Sequence, residues 1–435
     1  MSTPRASFAS KRLAALAVMA SVAVPAFAGN GYMTHGFGQK SKGMGGVAAA
    51  LAEDSLGAAN NPASLAWVGT RLDIGAEWLS GARHAERSGA GIATLNGRID
   101  SGRKHFLVPE IGYSQVISPD LSVGVSAYGN GGMNTSYHQG NFNCGADPAN
   151  VVCGNGKLGL DIIQLIVAPT VAYRLTPEHA VGAALLLGYQ RFKAEGLEAF
   201  DNAPGFPPFT SSPGNVTNRG NDSTTGAGLR VGWQGRLSDA ITLGASYSSK
   251  VYMGKLKKYK GLLAEGGSFD IPASYSVGVA FKPTPHWTLA ADYMRIEYSK
   301  VASVGNPSTA TAPLGADNGP GFGWRDVKVV KLGTSWSMDE TLTLRAGFNR
   351  GSKAIDPKDV TFNILAPALA QNHYTAGLTY ATGKNSEWTG ALMIAPRQSM
   401  TGPSLFNAVL GPGAGGNETL SLRMFSVGVA WARKY

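Results

Sequence analysis

Apolar residues recur at every second position through segment after segment of this chain. Leu121, Val123, Val125 and Ala127 alternate with Ser122, Gly124 and Ser126, and Ile241, Leu243, Ala245 and Tyr247 with Thr242, Gly244 and Ser246. Tyr275, Val277, Val279 and Phe281 alternate with Ser276, Gly278 and Lys282, and Leu342, Leu344, Ala346 and Phe348 with Thr343, Arg345, Gly347 and Asn349. In an extended strand, alternate side chains face opposite sides. One face here is apolar and the other small or polar, the pattern of a barrel wall with lipid outside and a polar lumen within.

A soluble β-sandwich also alternates, so the connections decide. The sequence predicts fourteen strands, near 70–84, 104–118, 120–132, 158–175, 179–194, 224–237, 240–254, 273–283, 286–299, 325–337, 340–351, 371–382, 386–399 and 418–435. Every second connection is tight, as at Ser118-Pro119-Asp120, Thr176-Pro177-Glu178, Ser238-Asp239, Thr284-Pro285, Met338-Asp339-Glu340 and Lys384-Asn385-Ser386. The others are long and rich in Gly, Pro, Asn and Ser. Short turns at one end and long loops at the other mark an outer-membrane barrel, and an even strand number leaves both termini at the short-turn end. Trp78, Tyr113, Tyr173, Trp233, Trp287, Trp336, Tyr380 and Trp388 fall near strand ends, where amphipathic rings favour the lipid–water boundary. The last strand carries Val427, Val429 and Trp431 and ends in Tyr435, which resembles the signal read by the outer-membrane assembly machinery.

Export is written at the start. Arg5, Lys11 and Arg12 precede an apolar run over 13–24 and a small-x-small site at Ala26-Phe27-Ala28, predicting a signal peptide over 1–28 cleaved after Ala28. Removing its three cations, with no acid, lowers the formal charge from +10 to +7. No dense basic cluster carries interleaved aromatics, so nucleic acid is not an expected partner. The densest basic run, 255–260, is placed to meet outer-leaflet lipid and lipopolysaccharide. Cys144 and Cys153 lie in a loop-like stretch of an exported chain and are expected to pair. Only His138 stands near them, too few ligands for a metal. G-x-S-x-G, H-E-x-x-H, phosphate-loop and C-x-x-C motifs are all absent, no cofactor is implied, and Ser126 and Ser246 read as lumen lining rather than nucleophiles, so an enzyme is not expected.

Two stretches depart from the alternating pattern. Residues 31–68 are Gly- and Ala-rich, with Glu53-Asp54 and then Asn61-Pro62-Ala63, where Pro62 blocks continuation of a helix. The third strand alternates as far as Tyr128 and then meets Gly129-Asn130-Gly131-Gly132, which favours a bulge or kink. The long loops also carry apolar residues that suit either a binding surface or a loop core. These are Phe142; Phe200, Phe206, Pro207, Pro208 and Phe209; and Leu262, Leu263 and Phe269. Arg191, Lys193, Arg230 and Arg345 are the cations able to meet a ligand carboxylate or the acids Glu53 and Asp54.

In chain order these stretches are joined by Tyr128-Gly129-Asn130-Gly131-Gly132-Met133-Asn134, Gly266-Gly267-Ser268-Phe269-Asp270-Ile271-Pro272-Ala273, Pro320-Gly321-Phe322-Gly323-Trp324-Arg325-Asp326 and Asn363-Ile364-Leu365-Ala366-Pro367. The ordered set resembles the FadL/TodX (OmpP1) family of outer-membrane transporters over essentially the whole mature chain. The resemblance implies an all-β transmembrane antiparallel barrel of about fourteen strands over 70–435 with a hatch over 29–69 in its lumen. It implies a monomer that passively admits hydrophobic compounds, long-chain fatty acids first and monoaromatic hydrocarbons as the alternative. Capture would occur at the loops, and release would be lateral, through a gap at the kinked third strand. It places Tyr32 or Met33 in the pocket and sets Asn61-Pro62-Ala63 against the kink at Gly129 to Gly132. The rival of a different kind is a surface structural or adhesive barrel in which the hatch merely seals.

Overall fold

The computed structural model describes residues 29–140, 142–144, 148–202 and 208–435, apart from the side chains of Ala93 and Pro148. The expected signal peptide and Phe206 lie outside the described residues. Fourteen antiparallel strands close on themselves: β1 (Arg71–Ser88), β2 (His105–Val116), β3 (Leu121–Tyr137), β4 (Leu158–Arg174), β5 (His179–Glu195), β6 (Asp222–Arg236), β7 (Ile241–Ser248), β8 (Ser274–Thr284), β9 (Trp287–Ile296), β10 (Val327–Ser337), β11 (Leu342–Gly351), β12 (Asn372–Gly383), β13 (Ser386–Pro403) and β14 (Asn417–Lys434). Closure is made by β14 pairing with β1 from Arg71·Lys434 to Ser88·Asn417. Closing the ring is what lets strands span the hydrocarbon. No helix among the described residues is long and apolar enough to cross a membrane, so strands do the crossing.

The alternation sorts as expected. Val277, Val279, Phe281, Leu289, Leu332, Leu378, Leu392 and Val427 are exposed on the outer wall, and Trp287 stacks on Trp336 at 5.5 Å near a tight turn. Strand seven is broken in two where its sequence predicts one run. After Ser248 the regular pairing is interrupted, but the chain stays along β6: Ser249 donates to the Leu229 carbonyl, and Tyr252-Met253 pairs with Ala227 and Gly226, so the segment follows the wall nearly as far as the sequence predicts. Strand three is longer, running on past the glycines to Tyr137.

Residues 29–69 lie within the ring of strands. They contain one helix, α1 (Gln39–Gly43), and two short 3-10 turns (Ser55–Ala59 and Pro62–Trp67). Polar anchors reach this segment from around the wall. Lys42 lies between Glu77 of β1 and Glu110 of β2, at 2.7 and 3.2 Å, and Lys40 meets Glu387 of β13 at 2.6 Å. Glu53 meets Arg345 of β11 at 2.9 Å, and the backbone N–H groups of Ala48 and Ala49 donate to Asp292 of β9 at 2.8 and 3.0 Å. Burial favours the neutral forms of Lys42 and Glu53, but their partners outweigh it, raising the Lys42 pKa and lowering that of Glu53. Asp54 caps the first 3-10 turn through the N–H of Gly57, and burial together with Asp73 pushes its pKa up to about 7.

The fit is tight because the inward positions at this level are glycines. A Cβ added to Gly112, Gly182, Gly244 or Gly347 would overlap, in turn, Ser55, Pro62, Ala49 and the Met44–Gly45 peptide. The small member of the alternating pattern is therefore small so that the backbone of the inner segment can lie directly on the wall.

Candidate functional site

Strand three carries the site. Up to Tyr128 it pairs on both sides, with β2 from Val116·Ser122 to Glu110·Tyr128 and with β4 from Leu121·Tyr173. Past Tyr128 it holds β4 alone. Asn130 is the extra residue of a bulge, and the ladder resumes at Gly131·Gln164 and runs to Tyr137·Leu158. Residues 105–109 of β2 therefore face β3 without a ladder. The opening this leaves has a floor, Glu110·Tyr128, and a top, where Ser101 of the β1–β2 connection bridges Tyr137 and Arg83 donates to the Asn134 carbonyl. Phe106 and Val108 border it on one side; a Cβ on Gly129, at its foot, would lie 2.8 Å from Cγ1 of Val108.

From inside, the N-terminal segment covers this opening. Met33 bridges Gly131, Gly132 donates to the Tyr32 carbonyl at 3.1 Å, and Thr34 donates to Asn130 at 3.4 Å. The contact requires glycine, since a Cβ on Gly131 would overlap the Tyr32 carbonyl oxygen. Asn61-Pro62-Ala63 does not make this contact. The Asn61 amide donates to the carbonyls of Ala49 and Trp233, and Asn61 and Pro62 press on Gly232 of β6 and Gly182 of β5. The expected pairing of that motif with the kink is thereby corrected. A rigid elbow and a glycine run are each compatible with close approach, but neither specifies its partner.

Tyr32 projects into an aromatic box. Its ring lies 6.0 Å from Phe269, 5.2 Å from Tyr298 and 5.8 Å from Trp324. The Tyr298 hydroxyl accepts from the N–H of Met33 at 3.2 Å and donates to the Asn30 carbonyl at 2.6 Å. Trp324 Nε1 donates to Asn363 Oδ1 at 2.7 Å, while Tyr137 and Thr135 of β3 donate to the carbonyls of Ile364 and Leu365. Two sequence motifs far apart in the chain thus meet around one ring, and a third is tied to it through Trp324.

An apolar cleft continues outward from the box. Phe269 faces Phe192 at 6.3 Å, and Phe192 lines a space bounded by Leu160, Phe200, Leu263, Phe322 and Phe362. Phe200 stacks edge-on with Phe209 and with Phe362, each at 5.7 Å. The cleft leaves only about 30 Å³ of free space, and its described lining includes no cation.

Of the expected ligand contacts, Tyr32, Met33, Phe200, Phe209 and Phe269 are brought together here. Phe142 is not among them. It is buried in a separate part of the loop core, beside Gly97 and beneath the guanidinium of Arg87. Arg191 and Lys193 are corrections. They share a face of β5 with the exposed Leu185, Leu187 and Tyr189, on the outer wall, and pair with Asp161 at 3.5 Å and Glu195 at 3.0 Å. The residues facing inward are their neighbours Gln190 and Phe192, both fully buried. The two cations share one face, and strand parity turns that face outward. Arg230 does face inward, and it donates to the Ala59 carbonyl and the Tyr128 hydroxyl rather than to an acid. Phe192, Tyr298 and Trp324 were not singled out as site residues. Trp324 stood within a quoted motif, and Phe192 could have been found by following parity between the two cations. Cys144 and Cys153 are joined by a disulfide.

A closed fourteen-stranded barrel with lipid-facing apolar residues, a filled lumen and an apolar cleft leading to a break in one strand pairing is an outer-membrane channel for hydrophobic compounds. The chain belongs to the family described as outer membrane protein transport protein (OMPP1/FadL/TodX), whose profile matches residues 15–389. Among solved structures it is similar to the toluene transporter TodX of Pseudomonas putida, at 20% identity and a TM-score of 0.70, with 92% of this chain and 99% of that chain covered. It is also similar to the toluene transporter TbuX of Ralstonia pickettii (17%, TM-score 0.63, 92% and 99% covered) and to a FadL homologue of Pseudomonas aeruginosa (14%, TM-score 0.66, 93% and 99% covered). A comparison with curated protein sequences found no match.

Proposed function

We propose that this channel admits uncharged hydrophobic compounds passively, aromatic hydrocarbons first, by capture in the loop cleft and lateral release between β2 and β3, with residues 29–69 acting as a hatch that stays anchored to the wall while its first residues, 29–35, form a cover over the opening. The observation that carries this reading is the interrupted pairing of β2 and β3 at the end of a continuous apolar path, Phe200 to Phe192 to Phe269 to Tyr32 to Gly131. A hydrophobic solute gains from staying on such a surface and loses by entering water. The backbone-on-glycine fit of the inner segment supports release through the wall rather than past the hatch. The absence of a cation from the described cleft lining supports an uncharged solute, because a buried carboxylate needs a charged or strongly hydrogen-bonding partner. Long-chain fatty acids are the second reading, favoured by the extended apolar path from Phe200 to Tyr32, which suits an acyl chain. TodX and TbuX are toluene transporters, and that supports the first reading.

The test is a disulfide across the foot of the opening, Val108→Cys with Gly129→Cys. The oxidised protein is expected to bind substrate normally and deliver it at least tenfold more slowly, with reductant restoring delivery; the unsubstituted protein given reductant controls for Cys144–Cys153. Normal delivery through the cross-linked barrel would refute lateral release. Equal competition by oleate and toluene for the same cleft would refute the preference for an uncharged solute.

A further inference from the structure

Beneath the Asn30–Met33 turn, on the inner wall of β11 and β12, lies a cluster of buried polar side chains that the transport path does not use. Asn349 and His373 stand directly opposite each other in the β11–β12 ladder, and both face inward. His35 stacks on His373 with ring centroids 6.1 Å apart. Asn30 lies over the same strand pair, since a Cβ on Gly351 would be 3.3 Å from its Oδ1. All four are at least 98% buried. Yet both ring nitrogens of His373, Nε2 of His35, Oδ1 of Asn349, and both Oδ1 and Nδ2 of Asn30 have no hydrogen-bond partner among the described residues.

Unpaired buried polar atoms are costly and uncommon, so this many in one place mark a missing group. A neutral imidazole accepts at one nitrogen and donates at the other, so four of the six atoms can accept at once: one nitrogen of His373, Nε2 of His35, and Oδ1 of Asn349 and of Asn30. The missing group is therefore chiefly a donor. Gly29 supplies the location: it is buried, and a Cβ added to it would overlap Nε2 of His373. In the precursor the Gly29 nitrogen is a peptide N–H with one hydrogen. Cleavage after Ala28 breaks the Ala28–Gly29 peptide bond by hydrolysis, leaving a carboxylate on Ala28 and an amino group on Gly29 with up to three hydrogens to donate.

We propose that His373, Asn349, Asn30 and His35 form a receptor for the mature α-amino group of Gly29, so that signal cleavage itself completes the seating of the N-terminal segment over the opening at β3. Its hydrogens have His373, against which Gly29 lies, and the unpaired Oδ1 atoms of Asn349 and Asn30 in the same cluster as acceptors, with His35 stacked on His373. The next residues, 30 to 33, then carry Tyr32 into its aromatic box and Met33 onto Gly131.

The experiment labels the α-amine of the mature protein, purified in detergent, with an amine-reactive ester at neutral pH and reads Gly29 by mass spectrometry. Gly29 is expected to react at least tenfold more slowly than in the denatured chain. His373→Leu and Asn349→Leu should each restore most of that reactivity while the strand circular dichroism stays unchanged. Because either variant could disturb the wall, a third variant inserts one alanine before Gly29, displacing the amine while leaving every barrel side chain in place; its new α-amine should react freely. A mature chain beginning at any other residue overturns the proposal. So does a Gly29 amine as reactive folded as denatured. Slow reaction that none of the three variants changes also overturns it, and assigns the cluster to ordered water.

Discussion

Gly131 offers the most direct perturbation of the cover over the opening. Its inward Cβ position is occupied by the Tyr32 carbonyl oxygen, a backbone atom that no rotamer change can move. Seating of residues 30–34 rests on the Gly132–Tyr32 and Thr34–Asn130 backbone hydrogen bonds, two more through the Tyr298 hydroxyl, and the burial of Tyr32 among three aromatic rings. Taking about 1 kcal/mol net for each of these four hydrogen bonds and about 2 kcal/mol for the Tyr32 ring, seating is worth about 6 kcal/mol. Overpacking by one methyl costs about 1–3 kcal/mol. Gly131→Ala should therefore weaken seating roughly 5- to 150-fold without abolishing it. A Met33→Cys reporter, inaccessible in the seated segment, should become correspondingly more reactive to a thiol reagent in the Ala variant. Delivery of substrate should rise or hold, since the cover is loosened while the opening itself is unaltered. Gly131→Trp should do the opposite to delivery, because its ring fills the inner mouth of the opening and leaves capture in the loop cleft intact. Unchanged thiol reactivity in the Ala variant, or normal delivery through the Trp variant, would refute the reasoning.

Three further outcomes follow from the same geometry. Replacing Phe200 and Phe209 by Asp should weaken substrate binding by on the order of 1.5–3 kcal/mol per ring with assembly intact, and unchanged affinity in a folded variant would remove the cleft from the path. Cys144 and Cys153 should give no free thiol in unfolded, unreduced protein, and their reduction should destabilise the β3–β4 loop by roughly 2–3 kcal/mol. His35 faces His373, Lys42, Lys331 and Glu77, and burial holds its pKa down to about 4. The released segment takes up a proton near 6.5 and the seated one only near 4, so seating should weaken as pH falls through that interval; Trp324 fluorescence should follow this, and His35→Phe should flatten the curve.

Much of the molecule is legible in the sequence because its signals are local. Period-two alternation, tight turns at every second connection and girdle aromatics predict fourteen strands whose bounds mostly fall within a few residues of those observed, since lipid outside and a lumen inside act on each strand separately. The bulge at Asn130 is likewise written in its flanking glycines. The pairing of distant pieces could not be read this way. That Met33, and not Asn61-Pro62-Ala63, covers the kink depends on how the segment 29–69 threads a ring of inward glycines supplied by many strands. That Arg191 and Lys193 face outward while Phe192 lines the cleft depends on a one-residue parity, which exchanges the two faces of a strand and which a strand with cations near its end leaves ambiguous. The aromatic box around Tyr32 draws on residues 269, 298 and 324, hundreds of positions from residue 32. Only closure of the barrel brings them within van der Waals reach, because no local preference links side chains separated by that length of chain.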